Sequence, residues 1–129
     1  MGRMDIDTVL VPVDGSEESV RAMEVAVAVA DRYGALVHAL YVLDRPDRDR
    51  TEQMMVAAHA VAGDVPLTHS VAYGFSTSHL TTHPGSVVLD TAEDVSADFL
   101  VIPRDRPADL LGKAAGYVLQ FAPQPVLAV

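Results

Sequence analysis

The sequence predicts an α/β protein built on a parallel sheet with helices on both faces. Short apolar, β-branched runs alternate with segments of helical period four times, then close on a fifth run. Most of those runs are apolar rather than alternating, as strands buried on both faces are. No apolar run approaches the ~20 residues a membrane span needs, so the apolar half of the composition belongs to a core. Crossovers between such strands should be right-handed. At 129 residues the chain is read as one domain, residues 1–129.

Thr8–Val13 (TVLVPV) is the first expected strand, ended by the turn Asp14-Gly15-Ser16. Ser16 suits a helix N-cap, and Glu17 and Glu18 put negative charge in the first turn. Val20, Met23, Val27 and Ala30 recur at helical spacing up to Gly34, which suits a left-handed cap. Ala35–Leu43 reads as the second strand, and Arg45–Arg50 (RPDRDR) as a polar connection. Thr51–Ala62 is a short helix closed by Gly63, with Met54 and Met55 as core or interface filler. Leu67–Tyr73 is the third strand and ends at Gly74, while Phe75–His83 has no apolar period and reads as a loop. Pro84 fits the first position of a helix to about Ser96, with Val88, Ala92 and Val95 inward. Phe99–Ile102 is the fourth strand. Pro107 can open a last helix with the stripe Leu111, Ala114, Val118 and Ala122, and Val126–Val129 is the fifth strand.

Charge and composition exclude several function classes. Net charge is −9, so nucleic acid and anionic membrane are not expected partners. With no cysteine there is no disulfide scaffold and no thiol chemistry. The N-terminus lacks a basic-then-apolar segment, so no secretion signal is read and a cytoplasmic location is expected. Thirteen of the eighteen acids are Asp and only one of nine bases is Lys, a bias that suits a halophilic protein or follows from a GC-rich genome. On the halophilic reading, self-repulsion destabilises the fold where screening is weak, the Debye length being ~30 Å at 0.01 M and ~3 Å at 1 M salt. The melting temperature should therefore rise substantially from millimolar to molar potassium chloride, and a flat profile would remove the salt reading.

Two strand ends echo one another, Pro12-Val13-Asp14 and Pro103-Arg104-Asp105. If the first and fourth strands are neighbours, these ends flank the crevice where such sheets bind ligands. Thr8–Ser16 (TVLVPVDGS) and Gly112–Val129 (GKAAGYVLQFAPQPVLAV), with the stretch Ala97–Ile102 between them, resemble the universal stress proteins over nearly the whole chain. The resemblance implies an open, Rossmann-like five-stranded sheet in the order 3-2-1-4-5, and often a homodimer paired through the last strand, here Val126, Leu127, Ala128 and Val129.

Many members of that family bind ATP through a loop of the form Gly-x2-Gly-x9-Gly-(Ser/Thr) after the fourth strand. Glycines let backbone N–H groups approach the phosphates. Here Pro103 stands at the first glycine and has no N–H, and Arg106 stands at the second. Gly112 matches the third, although fewer residues separate it from Pro103 than in that pattern, and Lys113 replaces the Ser/Thr. The resemblance implies adenine-side contacts at Pro12, Val13, Asp14 and Val42, with Ile102 lining the same crevice. Asp14 equally suits a strand-ending turn that caps backbone donors. Arg104, Arg106 and Lys113 form either a cationic phosphate clamp or solvated charges beside Asp105 and Asp109. Gly112 and Gly116, four apart, suit close packing of the last helix on the sheet, which places Gly112 inside that helix rather than at its start.

His69, His79 and His83 lack the surroundings of a metal site, and no metal is expected. Phe75–His83 is long enough to fold over the crevice as a lid. His38, between apolar neighbours, is expected to be a hydrogen-bonded core histidine. No nucleophile, base and orienting acid recur at a recognisable spacing, so no enzyme is expected. The favoured function is a non-catalytic, dimeric regulatory or interaction module of the stress response, with an unidentified protein partner and weak or absent ATP binding. The alternative is a sensor of an adenine nucleotide or another anion, and a nucleotide hydrolase is a third option.

Overall fold

A computed structural model describes residues 5–73, 83–104 and 110–129. The elements run β1 (Thr8–Val13), α1 (Glu17–Tyr33), β2 (Leu36–Val42), α2 (Arg48–Ala62), β3 (Leu67–Ala72), α3 (Pro84–Asp94), β4 (Phe99–Ile102), α4 (Leu110–Phe121) and β5 (Val126–Ala128). The sheet is parallel throughout, in the order β3-β2-β1-β4-β5. The strand order implied by the resemblance is the one observed.

Two apolar layers sandwich the sheet. Val9, Val11 and Val13 of β1 and Val37, Ala39 and Tyr41 of β2 pack with Ala22, Met23 and Ala26 of α1 and with Met54 and Ala58 of α2. Leu10, Leu40, Leu100 and Ile102 face the other way, against Val88 and Ala92 of α3 and Leu111, Ala114 and Val118 of α4. Every β1 residue from Val9 to Val13 is buried, which is why the run reads as continuously apolar. Tyr41 is the largest fully buried side chain, and burial pushes its phenol above the ordinary tyrosine range.

The helix ends follow local chemistry. The Ser16 hydroxyl accepts from the Ser19 N–H, and Gly34, at φ 66°, closes α1 in the left-handed region. α2 starts three residues before the expected Thr51, because the Asp47 carboxylate accepts from the Arg50 N–H and nucleates the turn inside the stretch read as a connection. α3 is capped by an imidazole: His83 Nδ1 accepts from the Gly85 N–H at 3.1 Å. The rest of the Phe75–His83 segment lies outside the described residues, so the lid expectation does too.

One packing expectation changes place. Gly116 is exposed, with nothing within 4 Å of an added Cβ, so it does not serve close packing. The close approach is at Gly85 of α3, where a Cβ would collide with the Cβ and ring of Tyr117 on α4. Asp98, just before β4, fastens the start of β1: its carboxylate accepts from the N–H groups of Asp7 (2.8 Å) and Thr8 (3.1 Å). No described helix is long and apolar enough to cross a membrane.

Candidate functional site

The strand order puts β1 beside β4, with the topological switch between them, so the crevice opens at their C-terminal ends. Pro12 and Val13 are buried at the end of β1. Asp14 follows, half-buried, and the turn uses its carboxylate: Oδ1 accepts from the Ser16 N–H at 2.9 Å. Gly15 then turns the chain at φ 87°, a conformation that suits glycine. The Ser19 hydroxyl donates to the Ser16 carbonyl at 2.9 Å and accepts, more weakly, from the Asp14 N–H at 3.4 Å. The turn role expected of Asp14 is therefore filled, with its other carboxylate oxygen not used by that bond.

Val42 ends β2 beside this turn. Together with Asp14, Leu43, Asp44, Arg45, Asp47 and Arg50 it lines a hollow of about 350 Å³. The structure thus brings together Asp14 and Val42, two of the residues implied for the adenine side. Ile102 is fully buried under α3 and α4 and belongs to the core. Arg104 and Lys113 are exposed, and neither lines the hollow. Arg106 lies outside the described residues. Gly112 is the third residue of α4 as described, half-buried, which places it in the helix but within its first turn.

The exit of β4 is short of backbone donors. Pro103 has no N–H, and the Arg104 N–H is spent on the Val129 carbonyl at 2.6 Å. A phosphate cradle made of loop amides needs such groups turned outward.

Arg50 is the residue that sequence reasoning missed. It sits in the first turn of α2, and its Nη2 donates to the Asp14 carbonyl at 2.7 Å, so a cation borders the hollow at the β1 turn. The signal was available in Asp47, a cap residue three positions earlier, which turns the polar run into a helix start.

The histidines separate into different roles. His38 is buried on β2 and bridges two hydroxyls of β3, with Nδ1 2.7 Å from Thr68 Oγ1 and Nε2 2.9 Å from Ser70 Oγ. It is the hydrogen-bonded core histidine the sequence predicts. Burial first, and the neighbouring His69 second, hold its imidazole below the ordinary histidine range. His83 stacks on Tyr117 at 4.5 Å, and His69 lies 5.6 Å from the Tyr41 ring. His79 is outside the described residues. Among the described residues no three His, Asp or Glu side chains are grouped to hold a metal ion.

A family model described as "Universal stress protein family" matches residues 5–129. No curated protein sequence matches the chain. Among solved structures, the fold is similar to a universal stress protein in complex with cAMP, at 24% identity and a TM-score of 0.73, covering 98% of each chain. It is also similar to a universal stress protein from Archaeoglobus fulgidus in complex with dAMP, at 19% identity and a TM-score of 0.72, covering 97% of this chain and 98% of that one. A universal stress family protein from Burkholderia pseudomallei gives a TM-score of 0.75 at 19% identity, covering 96% of each chain.

Proposed function

The chain belongs to the universal stress protein family, and from that premise we propose a non-catalytic, dimeric regulatory or interaction module of the stress response, cytoplasmic, that binds ATP weakly or not at all. The observation that carries this reading is the exit of β4, where Pro103 offers no donor and the Arg104 N–H is held by Val129. A triphosphate needs several backbone amides at once, and this exit withholds two consecutive ones. The output then passes to a protein partner rather than to a reaction product. Self-association through β5 supplies the dimer.

A second reading is a sensor of an adenine nucleotide or another anion. It is favoured by the hollow beside Asp14 and Val42, and by the adenine nucleotides carrying a single phosphate in two similar structures. Such ligands ask less of the β4 exit than ATP does. Titration calorimetry with magnesium-ATP, cAMP and AMP separates the readings. The expected result is no saturable heat from magnesium-ATP at micromolar protein. A dissociation constant of about a micromolar, ~8 kcal/mol, would overturn the first reading. Selective binding of cAMP or AMP would establish the second, and Asp14→Ala and Arg106→Ala should then weaken it.

A further inference from the structure

The α1/α2 side of the sheet carries a further groove of about 170 Å³, its walls mostly aliphatic, with Gln53 and Arg50 as the polar part of the lining. Val13 of β1, Val20 and Met23 of α1, and Met54, Ala58 and Val61 of α2 line it. It exists because α2 is thinly seated. Of its fifteen residues only Met54, Ala58 and Ala62 are buried, and the alanines are too small to close the seam. A volume of ~150 Å³ accepts a benzene-sized guest, so this groove has room for about six carbons. Methionines on both walls let it adjust to a flexible chain.

The groove also has one charged residue in its lining. Arg50 borders it, as it borders the hollow beside Asp14. Its guanidinium lies close to Gly15, where an added Cβ would stand 3.2 Å from Nη2. A guanidinium has five N–H donors, and among the described residues one hydrogen bond is made, to the Asp14 carbonyl. The neighbouring carboxylates of Asp14 and Asp47 each accept a backbone N–H through Oδ1, from Ser16 and from Arg50. An aliphatic channel ending at a planar, forked cation is complementary to a carboxylate with a short alkyl tail.

We propose that the α1/α2 groove binds a short aliphatic carboxylate of about six carbons, its chain between Met23 and Met54 and its head group on Arg50. The groove shares Arg50 with the hollow beside Asp14 and Val13 with the residues implied for the adenine side, so it is tested with a ligand that carries neither base nor phosphate. The test is a methyl-detected NMR titration of the full chain, at about 0.1 M potassium chloride so that the exposed charge is not fully screened, with hexanoate, hexanol and acetate. Hexanoate should shift the Met23 and Met54 methyl signals saturably, hexanol should bind about threefold more weakly, and acetate should leave them unmoved. Arg50→Gln should lower hexanoate affinity about threefold and leave hexanol unchanged. Ala57→Leu, at an exposed position on the groove's rim, should fill it and abolish both. Absence of a saturable shift, equal affinity for hexanoate and hexanol, or an Arg50→Gln variant with unaltered hexanoate affinity would each overturn the proposal. The unliganded spectrum of each variant shows whether it is folded.

Discussion

Gly85→Ala should lower the melting temperature by several degrees, up to ~10 °C, although alanine is the better helix former. Propensity alone favours the substitution by about 1 kcal/mol. Packing opposes it, because the added methyl would overlap the Cβ and the root of the ring of Tyr117. A Cβ cannot move without its helix. The Tyr117 ring is also flanked on both sides, by His83 at 4.5 Å and Phe121 at 4.7 Å. Relief therefore requires α3 and α4 to separate, and they form the layer that covers one face of the sheet. Overpacking of this kind costs ~1–3 kcal/mol or more. For a domain of this length each kcal/mol moves the melting temperature by roughly 3–5 °C. Gly116→Ala is the control of opposite sign: nothing stands within 4 Å of its added methyl, so it should raise stability by up to about 1 kcal/mol. Thermal melts of the two single variants check both signs, and an unchanged Gly85→Ala melt would refute the contact.

The second large effect is on assembly. The intact chain should scatter light as a dimer, and Leu127→Asp as a monomer. β5 pairs with β4 on one side only, through Leu100↔Val126, Val101↔Leu127 and Ile102↔Ala128. Its outer backbone groups form an apolar edge without a charged side chain, a template for another strand. Val126 and Ala128 pack toward α3 and α4, while Leu127 remains 40% exposed. α4, which packs on β5, adds the exposed Leu119 and Phe121. A two-fold pairing of β5 with its copy covers this edge and sets Leu127 near its symmetry mate. An aspartate there places two carboxylates in a desolvated seam. A monomeric intact chain, or a dimer indifferent to the substitution, would exclude this interface.

The frame of the fold was legible because its strands announce themselves. The continuously apolar runs of β1 and β4 suit central strands, and Ser16, Gly34 and Pro84 punctuate the helices at the positions their backbone chemistry favours. The start of α2 was less legible, since a charged run hid the cap at Asp47. The contact between Gly85 and Tyr117 could not be read at all. It joins residues of two helices whose crossing is set by tertiary packing, whereas the glycine pair at helical spacing, Gly112 and Gly116, offered a local signal that packing does not use at Gly116. The candidate site divides in the same way. Asp14 and Val42 were named by the family resemblance, and the pairing of β1 with β2 brings them side by side. Arg50 reaches the Asp14 carbonyl from thirty-six residues away, and no periodicity encodes that.

The clamp of Asp98 on the start of β1 bears on how the chain comes together. Thr8 meets Leu36 across β2, but it meets Asp98 only after ninety residues have been brought back. Chain closure costs ~0.6 kcal/mol for each doubling of the loop, so seating β4 costs about 1 kcal/mol more in entropy than seating β2. The β1-α1-β2-α2-β3 half should therefore assemble first and wait with one side of β1 unpaired. During synthesis, which delivers the N-terminal half first, that bare strand is the segment most exposed to pairing with another chain. Mutual repulsion between such acidic chains opposes that pairing until β4 takes its place beside β1.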